Sequence, residues 1–185
     1  TEYLQFGGTP AYKIRVALAS MSTPSWGMYA GYELIENVAR PGSEENIDNE
    51  KYEYKFRDFE AAEKAGNSLA PRIELLNKIR SENPSLQQLR NLTIHHSDDQ
   101  EILVYSKHLD AEHAGGRANT ILVVVNTDPH SVRETTVHLN LDALKVAGSF
   151  KVNDLVTGQS YDWSEHNYVR LDAFTEPAHI FRIER

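Results

Sequence analysis

The sequence predicts an α+β chain whose first half is helical and loop-rich and whose second half is an all-antiparallel β domain. Two observations carry this. The apolar residues recur at helical spacing up to about Arg90, and after Asn91 the period changes to two. Eight short apolar or alternating runs then follow, separated by turn-forming pairs such as Asp98-Asp99, Gly115-Gly116, Asp128-Pro129 and Thr157-Gly158. Short strands at such spacing indicate a sandwich or barrel. The expected division is therefore 1–90 and 91–185.

In the first half, Thr9-Pro10 reads as a helix start, with a hydroxyl cap before a proline at the first helical position. Ile14, Ala17, Leu18 and Met21 continue it, and Pro24 ends it. Trp26 to Tyr29 is a short aromatic run bounded by Gly31, which suits a buried strand. Asn37 to Gly66 lacks periodicity, contains the turn pair Pro41-Gly42, and leaves room for a small helix over Phe59 to Lys64. A loop of that length is usually functional. Ser68 to Arg80 is the clearest helix, with Leu69, Ile73, Leu76 and Ile79 on one face and Pro84 as its stop. The expected strands begin at Leu92, Ile102, Thr120, Thr135, Phe150, Tyr161, Tyr168 and His179.

Composition narrows the function classes. A net charge of -8 leaves no basic patch for nucleic acid. No run approaches the roughly 18 apolar residues that read as a membrane span. Cysteine is absent, which removes disulfides and thiolate metal sites and is compatible with a cytoplasmic location. The chain opens on Thr1 rather than Met, as a piece of a longer protein would.

Several residues have competing readings. Glu33, at the end of the apolar strand, suits a buried carboxylate that holds loop N–H groups. His95 and His96 are adjacent, so on a strand they face opposite ways and do not share an ion; no metal site is expected. His108, His113 and His130 fall in expected loops without a motif. Trp163 and Tyr168 could stack on a glucan, but aromatics on alternating strands favour core. Asn91-Leu-Thr93 has the form of a glycosylation sequon and reads as chance.

Four local patterns occur in one order: Thr23-Pro-Ser-Trp-Gly-Met-Tyr-Ala-Gly-Tyr-Glu33, Leu76-Asn-Lys-Ile-Arg-Ser-Glu-Asn-Pro-Ser-Leu86, Ile102 to Lys107 with Ile121 to Asn126, and Val152-Asn-Asp-Leu-Val-Thr-Gly158 with Tyr161-Asp-Trp163. Together they resemble the end of the alpha-amylase family, glycoside hydrolase family 13. The first is similar to that family's eighth barrel strand, the second to its last barrel helix, and the others to its C-terminal β domain. Tyr3 to Gly8, Gly42-Ser-Glu-Glu45, Asn49-Glu-Lys-Tyr-Glu53 and Arg57-Asp-Phe-Glu60 narrow the likeness to the maltosyl-transferring branch of the family.

This resemblance implies that 1–90 is the last strand and helices of a (β/α)8 TIM barrel, followed by a C-terminal β-sandwich domain in 91–185. It implies a parent enzyme that transfers maltosyl units, with retention, from maltose 1-phosphate to an alpha-1,4-glucan and releases phosphate, without a cofactor. Retention needs two carboxyl groups roughly 5 Å apart. By the resemblance these lie on barrel strands upstream of Thr1, so no catalytic residue is expected here and the piece alone is expected to be inactive. Lys51 and Tyr52 match the family's donor-binding pair: a compact cation for phosphate or hydroxyls, and an aromatic face for a sugar ring. Expected partners are the two substrates, the missing upstream part of the same protein and a second copy in a homodimer; an exposed barrel seam at Trp26 to Tyr29 would favour association. The alternatives are another amylase-family enzyme, either a hydrolase or a trehalose-forming isomerase, and a stand-alone carbohydrate-binding module.

Overall fold

Val123 and its neighbours set the architecture. Ile121, Leu122, Val123, Val124 and Val125 run without a polar interruption, and all five are fully buried. Successive strand residues face opposite sides of a sheet, so a strand apolar at every position needs a cover on both faces. The computed structural model, which describes residues 2–43, 45–47 and 54–185, supplies both covers.

All eight expected strands form: β1 (Leu92–Ser97), β2 (Ile102–Leu109), β3 (Asn119–Asn126), β4 (Val132–His138), β5 (Phe150–Asp154), β6 (Ser160–Trp163), β7 (His166–Asp172) and β8 (Ala178–Ile183). Every pairing is antiparallel. The order is β6-β5-β8-β3-β2-β1-β4-β7, so the layers expected of a sandwich are one continuous sheet. β1 is the fold line. Leu92 to His95 pair with β2, whereas His96 and Ser97 pair with β4. The β4–β7 flap thereby folds over the main sheet and encloses Ile102, Val104, Leu122, Val124, Val169, Leu171 and Phe181. His108 lies in β2 rather than in a loop; its ring bonds Thr120 Oγ1 at 2.7 Å and Asp110 Oδ1 at 3.1 Å.

The other face of the sheet meets helices. α1 (Glu2–Ser22) is broken at Gly8, whose φ of 54° is non-helical, and the second helix begins at Thr9-Pro10 as the sequence predicts. α2 (Phe59–Lys64) is capped by the Asp58 carboxylate, which accepts from the Ala61 N–H at 2.9 Å. α3 (Ala70–Glu82) follows, with the Ser68 hydroxyl accepting from the Ala70 N–H at 3.1 Å. Ile14, Met21, Leu76 and Ile79 from these helices join Tyr105, Val123, Val125 and Ile180 in one buried cluster. Tyr105, Ile121, Val123 and Val125 alternate with the residues of the inner core, which is the two-faced burial the sequence run demands. α4 (Leu141–Leu144) was not foreseen; at four residues it is too short to show a period, and the Asn140 side chain caps it by accepting from Ala143 N–H at 3.0 Å.

Trp26 to Tyr29 forms no strand among the described residues, contrary to expectation. A strand exists only through ladder bonds to a neighbour, and no described segment pairs with this one.

Polar groups fasten the two layers. The Arg80 guanidinium caps the C-terminal carbonyls of α1, donating to Ser20 O, to Thr23 O at 2.8 Å and to Pro24 O at 2.8 Å. Lys107, fully buried on β2, donates to Ser22 O at 3.0 Å and Gln88 O at 2.5 Å. Cations there also oppose the negative end of the helix dipole. Burial, with Arg80 nearby, lowers the Lys107 ammonium to about 8. Asn119 accepts from both the Ser85 N–H and hydroxyl and donates to Asn83 Oδ1 at 2.9 Å. Arg72 of α3 pairs with Glu176 between β7 and β8. At the opposite edge, burial drives the Asp154 carboxyl up, but His179, the Val156 N–H and the Thr157 hydroxyl outweigh it and hold it below its ordinary value. That network accounts for the Asn-Asp-Leu-Val-Thr-Gly pattern.

Asn119→Ala removes three bonds and strands the Ser85 and Asn83 groups. It is expected to cost about 1–3 kcal/mol, read as a lower urea midpoint with an unchanged slope. Leu76→Ala, which opens a void between α3 and the sheet, is expected to cost about 2–5 kcal/mol in the same assay.

Candidate functional site

The segment between α1 and α2 is organised by one carboxylate, Glu36. Arg57 donates to it from Nε at 2.8 Å and from Nη2 at 2.9 Å, and Lys55 Nζ lies 3.1 Å away. The Glu36 carbonyl accepts from Tyr12 Oη at 2.6 Å and from Asn46 Nδ2 at 2.8 Å. The paired bonds from Arg57 hold the Glu36 carboxyl below the ordinary carboxylate range; burial opposes this and Lys55 assists it. Gly31 lets this arrangement close, since it has a φ of 96° and a Cβ there would collide with the Glu36 carboxylate.

Glu33 is half-buried, and its carboxylate accepts from the Gly31 N–H at 3.1 Å. That is the structural role read from the sequence, but Glu36 carries the larger share. Its partner Arg57 is 21 residues away, so no local pattern joins them. The Arg57-Asp-Phe-Glu60 motif now has a physical content: Arg57 fixes the loop and Asp58 starts α2.

Pro41-Gly42 makes the expected turn. Ser43 N–H donates to Arg40 O at 3.1 Å, Gly42 has a φ of 74°, and Ala39 bridges Asn46 in a small hairpin. Lys51 and Tyr52 lie outside the described residues. The described chain on either side of them converges on Glu36: Asn46 reaches its carbonyl, and Lys55 and Arg57 reach its carboxylate. Beside this point lies a cleft of about 370 Å³ lined by Tyr12, Tyr29, Tyr32, Glu36, Asn46 and Ile47. Burial raises the Tyr12 and Tyr32 phenols above their ordinary value, so both enter as neutral hydrogen-bonding groups. Both hydroxyls are donated to backbone carbonyls, so what the cleft can offer a sugar is chiefly aromatic surface from Tyr29 and Tyr32. Its Glu36 is a paired anion, unsuited to act as a general acid, which needs a raised value.

Trp163 packs in the core against Phe181 at 4.6 Å between ring centroids. Tyr168 departs from the expected core position. It is 63% exposed, with its hydroxyl 2.9 Å from Glu134, because β7 turns Asn167, Val169 and Leu171 inward and Tyr168 outward. His95 and His96 face opposite ways as expected. His95 is buried and accepts from Asn140 N–H at 3.1 Å through Nδ1, so Nε2 donates to Ser106 Oγ at 2.8 Å; burial lowers its value to about 4 and keeps it neutral. No helix among the described residues is long and apolar enough to cross a membrane.

Comparison with known proteins agrees with this architecture. A noncanonic maltogenic alpha-amylase from Thermotoga neapolitana superposes over 96% of this chain and 37% of its own, with a TM-score of 0.60 at 9% identity. A pullulanase from Anoxybacillus sp. LM18-11 does so over 94% and 23%, with a TM-score of 0.58 at 13% identity. These likenesses concern fold alone, and they extend across both halves. In sequence, proteins named alpha-1,4-glucan:maltose-1-phosphate maltosyltransferase are far nearer. The one from Corynebacterium glutamicum is 51% identical over 96% of this chain, and one from Streptomyces coelicolor is 44% identical over 99%. That of Mycolicibacterium smegmatis is 42% identical over 98%. The chain spans about a quarter of the length of these relatives. Residues 94–183 match the family described as "GLGE, C-terminal", and nearly the whole chain is homologous to about a quarter of the length of the proteins named alpha-1,4-glucan:maltose-1-phosphate maltosyltransferase.

Proposed function

We propose that this chain is the C-terminal part of a retaining glycosyltransferase of the alpha-amylase family that transfers maltosyl units from maltose 1-phosphate to an alpha-1,4-glucan and releases phosphate. The observation that carries the reading is identity of 42–51% sustained over nearly the whole chain with proteins of that name, rather than in one motif. On this reading 1–90 ends the (β/α)8 barrel and 91–185 is the C-terminal β domain. Trp26 to Tyr29 is then the last barrel strand, whose ladder partners belong to the rest of the protein. The exposure of Met28, Tyr29, Tyr54 and Phe56 supports this, since large apolar side chains left to solvent suit surfaces that other chain covers.

The catalytic carboxylates belong to the remainder, and the ion-paired state of Glu36 is consistent with its having no part in proton transfer. Lys51 and Tyr52 form the donor-binding element of this chain. Their support is positional: the flanking residues are held at Glu36, beside the tyrosine-lined cleft.

Three outcomes are expected. This chain alone, given maltose 1-phosphate and glycogen, releases no phosphate; measurable turnover would overturn the reading. In the protein that carries the remaining barrel, Lys51→Ala raises the donor KM by about 10-fold or more, the worth of one charge-assisted bond. Unchanged KM and kcat would remove Lys51 from the site. Glu36→Gln loosens both tethers and raises the donor KM without Glu36 touching the donor. The Glu36 carboxyl is lower in the folded chain than its ordinary 4.5, so its stabilisation is complete above that value and is lost as pH falls through the folded value. Amide exchange at Leu34, Ile35 and Glu36, whose N–H groups close the turn that carries this carboxylate, corrected for intrinsic rate, should accelerate through that acid window and should already be fast in Glu36→Gln at neutral pH.

A further inference from the structure

The outer face of the β1–β4–β7 flap carries a row of histidines that the proposed transferase does not use. His96 is the register partner of His138, and His138 is the register partner of His166. Directly opposed residues on antiparallel strands have Cβ atoms roughly 4.5–5.5 Å apart. The backbone therefore gathers three imidazoles on one patch whatever their rotamers. Asp98, two residues beyond His96, turns its carboxylate into the same patch.

The side chains have already converged. His138 Nε2 lies 2.9 Å from Asp98 Oδ1, and His96 Nε2 lies 3.5 Å from the same oxygen. One ligand atom each from His96, Asp98 and His138 falls within 4.8 Å of the others. Ligands about 2.0–2.1 Å from a tetrahedral ion stand roughly 3.3–3.5 Å from one another, so only small rotations separate this arrangement from a coordination shell. His138 Nδ1 is 2.8 Å from His166 Nδ1. If His138 donates its proton there, Nε2 is left with a free lone pair toward Asp98, the tautomer a metal requires.

We propose that His96, Asp98 and His138 form a binding site for a divalent transition-metal ion of the zinc class, with His166 as the positioning residue behind His138. The ion bridges His138 Nε2 and Asp98 Oδ1 in place of the hydrogen bond between them, with His138 keeping its proton on Nδ1 and any proton displaced from the pair passing to solvent, and water completes its shell. Two imidazoles and one carboxylate suit zinc, copper or nickel, whereas calcium and magnesium want more oxygen. Because the ligands come from β1, the turn just after it and β4, the ion pins the flap at the place where the sheet folds over.

The test uses the tag-free chain and the metal alone. Zinc titrated calorimetrically should bind one ion per chain and raise Tm by mass action, while calcium gives neither effect. Cobalt should develop the visible absorption of a low-symmetry site. His96→Gln, at an exposed position that leaves the fold intact by circular dichroism, and His138→Gln should each weaken zinc about 10-fold or more. His166→Gln should weaken zinc less and shift the cobalt spectrum, as loss of a supporting partner does. His113→Gln, outside the row, should change nothing. Absence of zinc binding in the parent chain, or an affinity unchanged in both His96→Gln and His138→Gln, would overturn the site.

Discussion

The two-sided burial of β3 is the constraint on which the rest depends. Each of its five central side chains contributes on the order of 1.5–3 kcal/mol when removed from water, and they point alternately to both faces. One face is closed by the sheet folding over at β1, the other by α1 and α3. Neither cover is optional. Without the helices, Tyr105, Val123, Val125 and Ile180 would form an apolar sheet face open to solvent. Without the flap, Val124 and Phe181 would be exposed in their place. Residues from both sides of the change of secondary structure near Asn91 thus share one buried cluster.

Because the layers share a core, the polar contacts between them serve mainly to fix geometry. Arg80, Lys107 and Asn119 are spent on carbonyls and amides that the end of α1 and the turn after α3 would otherwise bury unpaired. An unmet buried group costs more than a made bond returns. These contacts therefore select one orientation of the helices on the sheet more than they deepen the energy minimum. They also explain why Arg80, Asn83 and Ser85 occur as a sequence cluster: each completes a different part of the same joint.

The parts legible in the sequence were those whose cause is local. The eight strands could be read because alternation and turn pairs lie within each segment, and α3 because its stripe repeats over three turns. Trp26 to Tyr29 carried strand composition, but among the described residues no strand pairs with it, and composition alone makes no ladder. Tyr168 was misjudged because which face of β7 is buried depends on pairing with β4, which Tyr168 itself does not encode. Glu36 was invisible for a similar reason. Its importance comes from Arg57, Lys55, Tyr12 and Asn46, gathered from both sides of a long loop. The histidine row was hidden as well: His96 and His138 are 42 positions apart, and only strand register makes them neighbours. Adjacency correctly separated His95 from His96, but it looked along the strand when the relevant direction ran across it.

The Glu36 hub also bears on how a loop of this length can serve recognition. A free loop would lose conformational entropy on binding, at roughly 1–2 kcal/mol of backbone cost for each residue ordered. Here the cost is reduced before any ligand arrives. The hairpin from Val38 to Ile47 is held by its own bonds, α2 is capped by Asp58, and Asn46 and Lys55 are held to the Glu36 carbonyl and carboxylate respectively. The arrangement keeps Glu36 ionised and therefore useless as an acid, which is the requirement for a tether. Its chemistry and its position support the proposed division of labour, in which this chain positions donor-binding groups while the carboxylates for proton transfer and nucleophilic attack lie elsewhere in the enzyme.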